Sequence, residues 1–388
     1  MLWGYALAMD GRGAAQGTGR AERQVAGAPY LSLIDGVRGI AALSVLFYHY
    51  VHFFMAGADR KKVPGYAELF PGREVLWPAY DFGNYAVQIF WLISGFVFAH
   101  VYYGHSASTR SFFVNRFARL YPLHLLTLLV VALLQGVALM RFGYTPLYGN
   151  YDWPHFAAQL VMAADWVRTG LSFNGPVWSV SVEIAVYALF WLSRRPVERF
   201  GLPLLLVMSV GFYLLDVRLG LHTRIFACGM LFFTGCALFM LRETRWGAGW
   251  RLALLAAVLV GVGLAGSLVW GRWGWRVLGI PGIFGGLFLL LAAAEGRAPR
   301  MLSRACEWLG ENTYGIYLWH VPVQLCLLLV LMPAIAPQDI AQNGWFLALY
   351  AALVIVVARV SYVWFERPMR DRVRRRFGSP PKVPKPAP

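Results

Sequence analysis

Residues 38–57 read RGIAALSVLFYHYVHFFMAG. One permanent charge, Arg38, stands at the start, and the rest is mostly apolar. About 20 such residues is the length at which an α-helix crosses the hydrocarbon of a bilayer. Comparable runs recur near 84–104, 119–140, 177–193, 201–217, 222–241, 251–270, 276–294, 311–332 and 344–365. Lipid offers the backbone no hydrogen-bond partner, so each run is expected to close its bonds within a helix. The chain therefore reads as an all-α polytopic membrane protein with about ten transmembrane helices.

Composition supports that reading. Of 388 residues, 59% are hydrophobic and 14% charged, whereas soluble domains are about 45–50% apolar and 25% charged. The 16 Trp, 19 Tyr and 26 Phe would overfill one soluble core and suit interfacial belts. The net charge of +16 does not imply nucleic acid, because the cations are parcelled out between apolar runs and form no stripe. Cys228, Cys236, Cys306 and Cys326 lack metal-ligand spacing and read as small apolar fillers.

The same cations orient the chain. With the N-terminus inside, the inner connections hold Arg110, Arg116 and Arg119, then Arg194, Arg195 and Arg199, then Arg242, Arg245 and Arg251, then Arg297, Arg300 and Arg304. Together with the two ends they hold more than twice as many cations as the outer connections, which puts both termini in the cytoplasm. Residues 1–30 are expected to be a disordered tail, 31–370 the membrane domain, and 371–388 a basic, Pro-rich cytoplasmic tail. The longest outer connection, 141–176, carries Tyr144, Tyr148, Tyr151, Trp153, His155 and Trp166 and is placed to cover a site.

Ionisable groups inside spans cost a few kcal/mol each and usually mark function. Arg38 and His49 are eleven residues apart, about 20° past three full turns and about 16 Å along a helix. They share a face, with a cation at the mouth and a titratable base deeper in. Glu183 lies inside the run NGPVWSVSVEIAVYALF, 174–190, four residues after Ser179 on the same face, and a pairing with His49 is geometrically open. In GENTYGIYLWHVPVQL, 310–325, Tyr317 precedes His320 by three. Arg116 and Arg119 in RSFFVNRFARLYPLHLL, 110–126, stand on one side of a turn, as phosphate ligands or as positive-inside anchors. Ser94, beside Gly95 in FWLISGFVF, 90–98, permits close helix approach and lies outside any nucleophile elbow. For each of these groups, helix-packing or snorkelling roles stay open beside the functional ones.

Taken in order, these segments resemble the acyltransferase 3 family of membrane O-acyltransferases. The likeness lies in IDGVRGIAALSV (34–45) with the Arg38–His49 spacing, FWLISGF (90–96), RFARLYP (116–122), WSVSVE (178–183), GENTYGIYLWH (310–320) and FERP (365–368). It covers nearly the whole chain. What it implies is a ten-helix enzyme of the bacterial inner membrane that takes acyl groups, acetyl above all, from cytoplasmic acyl-CoA. The acceptor would be a hydroxyl of a sugar, glycolipid or polysaccharide. His49 would be the base, Arg38 and Glu183 its support, and Arg116 and Arg119 the acetyl-CoA ligands. Ser94, Trp178, Tyr314, Tyr317 and His320 would bind substrate, with no metal required. Some relatives add an extracytoplasmic SGNH hydrolase-like domain, which this chain is expected to lack. The implied partners are the acyl donor, the sugar acceptor and the bilayer, with no nucleic acid; a homo-oligomer is compatible.

Two rival classes fit parts of the pattern. A proton-coupled transporter of a sugar or lipid-linked substrate would use buried His and Glu for proton relay, but no inverted repeat is evident. A lipid-linked glycosyltransferase would want clustered acidic metal ligands, and the outer loops offer scattered ones such as Asp152 and Asp165.

Overall fold

The computed structural model describes residues 30–378 apart from 57, 167–169 and 220–223. The expected N-terminal tail, Arg168 and the final ten residues thus lie outside the described residues. Among the described residues the architecture is helical throughout, apart from one two-residue antiparallel pairing, β1 (Met55–Ala56) with β2 (Lys61–Lys62).

The first span is α1 (Ser32–Tyr48), which tightens into a 3₁₀ turn at His49–Phe54. It begins six residues earlier than expected, so Arg38 lies in the second turn instead of at the mouth. Asp35 in the first turn favours the positive helix N-terminus and pairs with Arg38 at 3.0 Å. Next come α2 (Arg73–Phe82), α3 (Ala86–Tyr102) and α4 (Thr109–Phe142). Ser108 caps α4 by accepting from the Ser111 N–H at 3.1 Å, so Arg110, Arg116 and Arg119 ride on the helix itself. The connection from α4 to the next long helix contains α5 (Trp153–Leu160), capped by Asp152. The N–H and ring of His155 hold the Asp152 carboxyl below its ordinary value.

The chain continues through α6 (Val177–Phe200), α7 (Leu202–Leu219), α8 (Ile225–Arg242), α9 (Gly249–Gly274), a π-helical stretch over Trp275–Phe284 and α10 (Gly285–Ala294). Then follow α11 (Arg300–Leu331), α12 (Pro337–Ala341), α13 (Gly344–Ser361), a second π-helical stretch over Tyr362–Glu366 and α14 (Arg367–Phe377). α14 runs to Phe377 and buries Arg370, so the basic residues among 371–376 of the expected tail continue a helix with half-buried and exposed side chains.

Nine helical runs among the described residues are long and apolar enough to span a bilayer, and one of them, Gly249–Ala294, has 46 residues. At 1.5 Å per residue it would be about 69 Å long, twice what a bilayer needs. It folds back at Gly271, whose φ of 55° and ψ of −132° interrupt the helix in a region that glycine enters without strain. The two limbs pack antiparallel: Gly266 faces Leu278, Gly263 faces Ile283, and Gly282 faces Leu259. Counting the two limbs separately gives ten crossings among the described residues. The packing of α11 on α1 requires the same number. Gly36 meets Cys306, Gly39 meets Leu309, and His49 meets His320, so the two helices run parallel. With nine crossings, α11 would be the eighth and antiparallel to α1.

Lipid tails are as apolar as leucine, so helices here associate through close packing and polar contacts. α7 shows the lipid side, presenting Leu206, Val207, Val210 and Leu214 outward. The tightest crossing is α3 on α8, where a Cβ on Gly95 would stand 1.8 Å from the Phe232 carbonyl oxygen. No backbone atom can yield that distance without parting the helices. Gly95→Ala is expected to destabilise the protein by about 2–3 kcal/mol, as overpacking typically does. A thermal melt in detergent that matched the native protein would refute this.

Candidate functional site

A column of polar side chains runs along the α1–α11 seam, between two buried apolar clusters. One cluster is built from α3, α6 and α8 around Phe96, Phe98, Phe190 and Phe232. The other gathers Tyr50, Phe53, Phe346 and Tyr350 beneath the 3₁₀ turn.

At the end of the column nearest the N-terminus, Tyr30 donates to Asp35 at 2.7 Å and Arg38 pairs with the same carboxylate. Next comes Glu183. It accepts from the Ser94 hydroxyl and from Tyr187, and Arg38 and Arg116 lie within electrostatic reach. The guanidinium of Arg116 sits 5.0 Å over the Phe98 ring. Above Glu183, the Tyr317 and Ser179 hydroxyls meet at 2.7 Å beside the Pro176 carbonyl, one donating to that carbonyl and the other to its neighbour's oxygen.

Beyond Tyr317 three imidazoles converge. The His49 ring lies 4.9 Å from His320 and 5.2 Å from His52, centroid to centroid. His49 Nδ1 stands 2.9 Å from the Val45 carbonyl oxygen. A carbonyl can only accept, so Nδ1 carries a proton, and in the neutral ring Nε2 keeps a lone pair. Neither nitrogen of the buried His320 makes a well-formed hydrogen bond. Gln324 donates to the His49 carbonyl at 2.8 Å and receives His52 Nδ1 at 2.9 Å.

Several expectations change here. The open His49–Glu183 pairing does not form. Glu183 is six residues inside α6, which brings it to the level of Arg38 and Ser94, while His49 sits about 16 Å further along α1. Arg116 and Arg119 diverge. Arg116 faces Phe98 and Glu183, whereas Arg119 acts on Tyr314 and the buried Glu366. Tyr314 is committed to the Leu120 carbonyl at 2.8 Å. Trp178 stands apart from the imidazoles, edge-on to Trp91 and 4.2 Å beneath the Arg224 guanidinium. Arg224 also binds Asp165 at 2.7 Å. Burial lifts the Asp165 carboxyl above its ordinary value, although Arg224 pulls the other way. The connection between α4 and α6 touches one imidazole, Tyr148 packing edge-on to His52 at 5.6 Å, while its Trp166 donates to the Ser181 carbonyl on α6 at 2.7 Å.

Sequence reasoning passed over His52, Gln324, Tyr187 and Glu366 as site residues. Spacing could have flagged three of them. His52 follows His49 by three, Gln324 follows His320 by four, and Tyr187 follows Glu183 by four, all same-face intervals. Among the described residues no group of His, Cys, Asp and Glu is arranged to hold a metal ion.

The fold and this column define a multi-pass membrane protein with an ionisable site inside its helix bundle. Residues 31–363 match the family described as "Acyltransferase domain", and the chain belongs to that family, acyltransferase 3. It is 35% identical over 120 residues to "Acyltransferase MdmB" of Streptomyces mycarofaciens, a segment covering 30% of each chain. It is 32% identical over 185 residues to "Protein 2 in picA locus" of Rhizobium radiobacter, covering 43% of this chain and 85% of that one. A third stretch, of 75 residues, is 36% identical to "Putative peptidoglycan O-acetyltransferase YrhL" of Bacillus subtilis and covers 19% of this chain and 11% of the relative. The matched segment thus spans less than a third of the first of these relatives. No solved structure matches the chain significantly.

Proposed function

We propose that the protein is an O-acyltransferase of the bacterial inner membrane, moving an acyl group, acetyl foremost, from acyl-CoA to a hydroxyl of a sugar, glycolipid or polysaccharide. The observation that carries this reading is the His49 imidazole, whose Nδ1 is held by the Val45 carbonyl so that Nε2 is the nitrogen left for chemistry, in a polar column that includes Arg38. The family and the relatives named for acyl and O-acetyl transfer support the reaction class. The excess of cations on the N-terminal face supports donor entry from the cytoplasm.

In this mechanism His49 Nε2 takes the proton of the acceptor hydroxyl as its oxygen attacks the thioester carbonyl. The carbonyl carbon gains the ester bond and loses sulfur, and the proton returns to the departing CoA thiolate. Arg38 and Arg116 lie at the donor end, where guanidinium groups suit phosphate oxygens. Glu183 balances those two cations and holds Ser94 and Tyr187 in place. Arg119, supported by Glu366, supplies a second cation on the same helix.

Membranes containing the protein should transfer radiolabelled acetyl from acetyl-CoA into envelope material, in a form released by mild base. If acetyl-CoA and a panel of other acyl-CoAs all give no label above background with folded protein, the enzyme reading fails and transport takes its place. A donor-site prediction accompanies it. Arg116→Ala and Arg119→Ala should each weaken CoA binding about tenfold, the loss of one charge-assisted contact. Titrations of CoA that coincide with those of the native protein would remove these arginines from the donor site.

A further inference from the structure

His52 has no place in the mechanism above, yet its surroundings are built with unusual constraint. Gln324 presents its amide between two groups of fixed polarity. The His49 carbonyl can only accept, so the nitrogen of Gln324 must face it, at 2.8 Å. The amide oxygen therefore faces His52 Nδ1, at 2.9 Å, and can only accept in turn. Nδ1 of His52 must carry the proton, and Nε2 keeps its lone pair. The result is the same tautomer that Val45 imposes on His49, with the two rings 5.2 Å apart.

His52 also forms part of the wall of a cleft of about 400 Å³ at the opposite end of the column from Arg38. The connection between α4 and α6 contributes Tyr144 to this cleft, and the end of α11 contributes Leu328 and Met332; Met55 and Ile335 add apolar surface and Gln338 a polar group, so polar and apolar atoms share the lining about evenly. A small ligand with both a polar and an apolar portion fits such a lining, and the polar groups would set its orientation.

We infer that this cleft admits the acceptor as a sugar joined to an apolar group, and that His52, fixed as the Nδ1–H tautomer by Gln324, accepts a hydrogen bond from the hydroxyl next to the one His49 deprotonates. Two neighbouring imidazoles with matched lone pairs address two adjacent hydroxyls of one ring. His52 is thus a second acceptor ligand, and Gln324 is the positioning residue that sets its tautomer. The inference rests on the proposed acyl transfer.

The test uses membranes carrying the full chain, radiolabelled acetyl-CoA and hexyl β-D-glucoside as acceptor. It compares His52→Asn with His52→Gln. Asparagine places its amide where Nδ1 stands and can keep the Gln324 bond, but offers nothing at Nε2. Glutamine reaches the Nε2 position with an acceptor oxygen. The expected result is an acceptor KM raised about tenfold in His52→Asn and nearer to native in His52→Gln, with CoA binding unchanged in both. A purely structural His52 would give the reverse order, and that order, or native KM in both variants, overturns the assignment. Native protein that labels the envelope but not the glucoside overturns the acceptor class given to the cleft. Native protein that transfers from no acyl-CoA overturns the acyl-transfer reading itself.

Discussion

His49→Ala is expected to lower acyl transfer by at least about 100-fold, the usual contribution of a positioned general base, while the protein still folds and inserts. The expectation follows from one hydrogen bond. Val45 occupies Nδ1, so the whole basic capacity of the ring resides at Nε2. His320 and His52 pack against that ring without hydrogen-bonding to it, and neither is placed to take over its bond to Val45. His49→Asn sharpens the test, because its amide can still reach the Val45 carbonyl while nothing replaces Nε2. If His49 were a packing group, asparagine would restore activity. Acetyl incorporation into the envelope that survives in either variant would move the base elsewhere in the column.

The second large effect is expected at Glu183, and it should appear in stability as well as in activity. Ser94 and Tyr187 both donate to this carboxylate, and Arg38 and Arg116 lie within its field. Glu183→Leu would remove the acceptor shared by the two hydroxyls, at about 1–3 kcal/mol for a donor left without a partner, and would take one negative charge from the field of Arg38 and Arg116, leaving Arg38 with Asp35. The variant should melt well below the native protein in detergent and show no transfer. Glu183→Gln keeps one acceptor oxygen and the volume but not the charge, so it should fold better than Glu183→Leu and bind CoA less well than native. A Glu183→Leu protein with native stability would show that the carboxylate plays no structural part. Native kcat in Glu183→Gln would show that its charge plays no catalytic one.

Much of this protein was legible before any tertiary contact was known. Apolar runs of about 20 residues can satisfy their backbone in lipid only as helices, so a count of about ten crossings and their approximate places could be read from hydropathy. Even the break between the runs 251–270 and 276–294 coincides with the fold-back at Gly271. Periodicity along one helix is equally local information, which is why Arg38 and His49 could be assigned to one face, and Tyr317 and His320 to another. Partnership between helices is different. It depends on how deeply one helix sits against the next, and that depth is set by close contacts such as Gly95 against the Phe232 carbonyl and Gly39 against Leu309. A shift of one turn, about 5.4 Å, exchanges one polar partner for another. Glu183 consequently meets Ser94 and Tyr187 instead of His49, and Arg116 and Arg119 turn to different neighbours. Gln324 bridges His49 and His52 because α11 runs parallel to α1 in one particular register. The chain's own composition and spacing determined the membrane fold and the residues able to carry chemistry, whereas only interhelical packing decided which of them meet, because a side chain's partners are set by the neighbouring helix's depth and register.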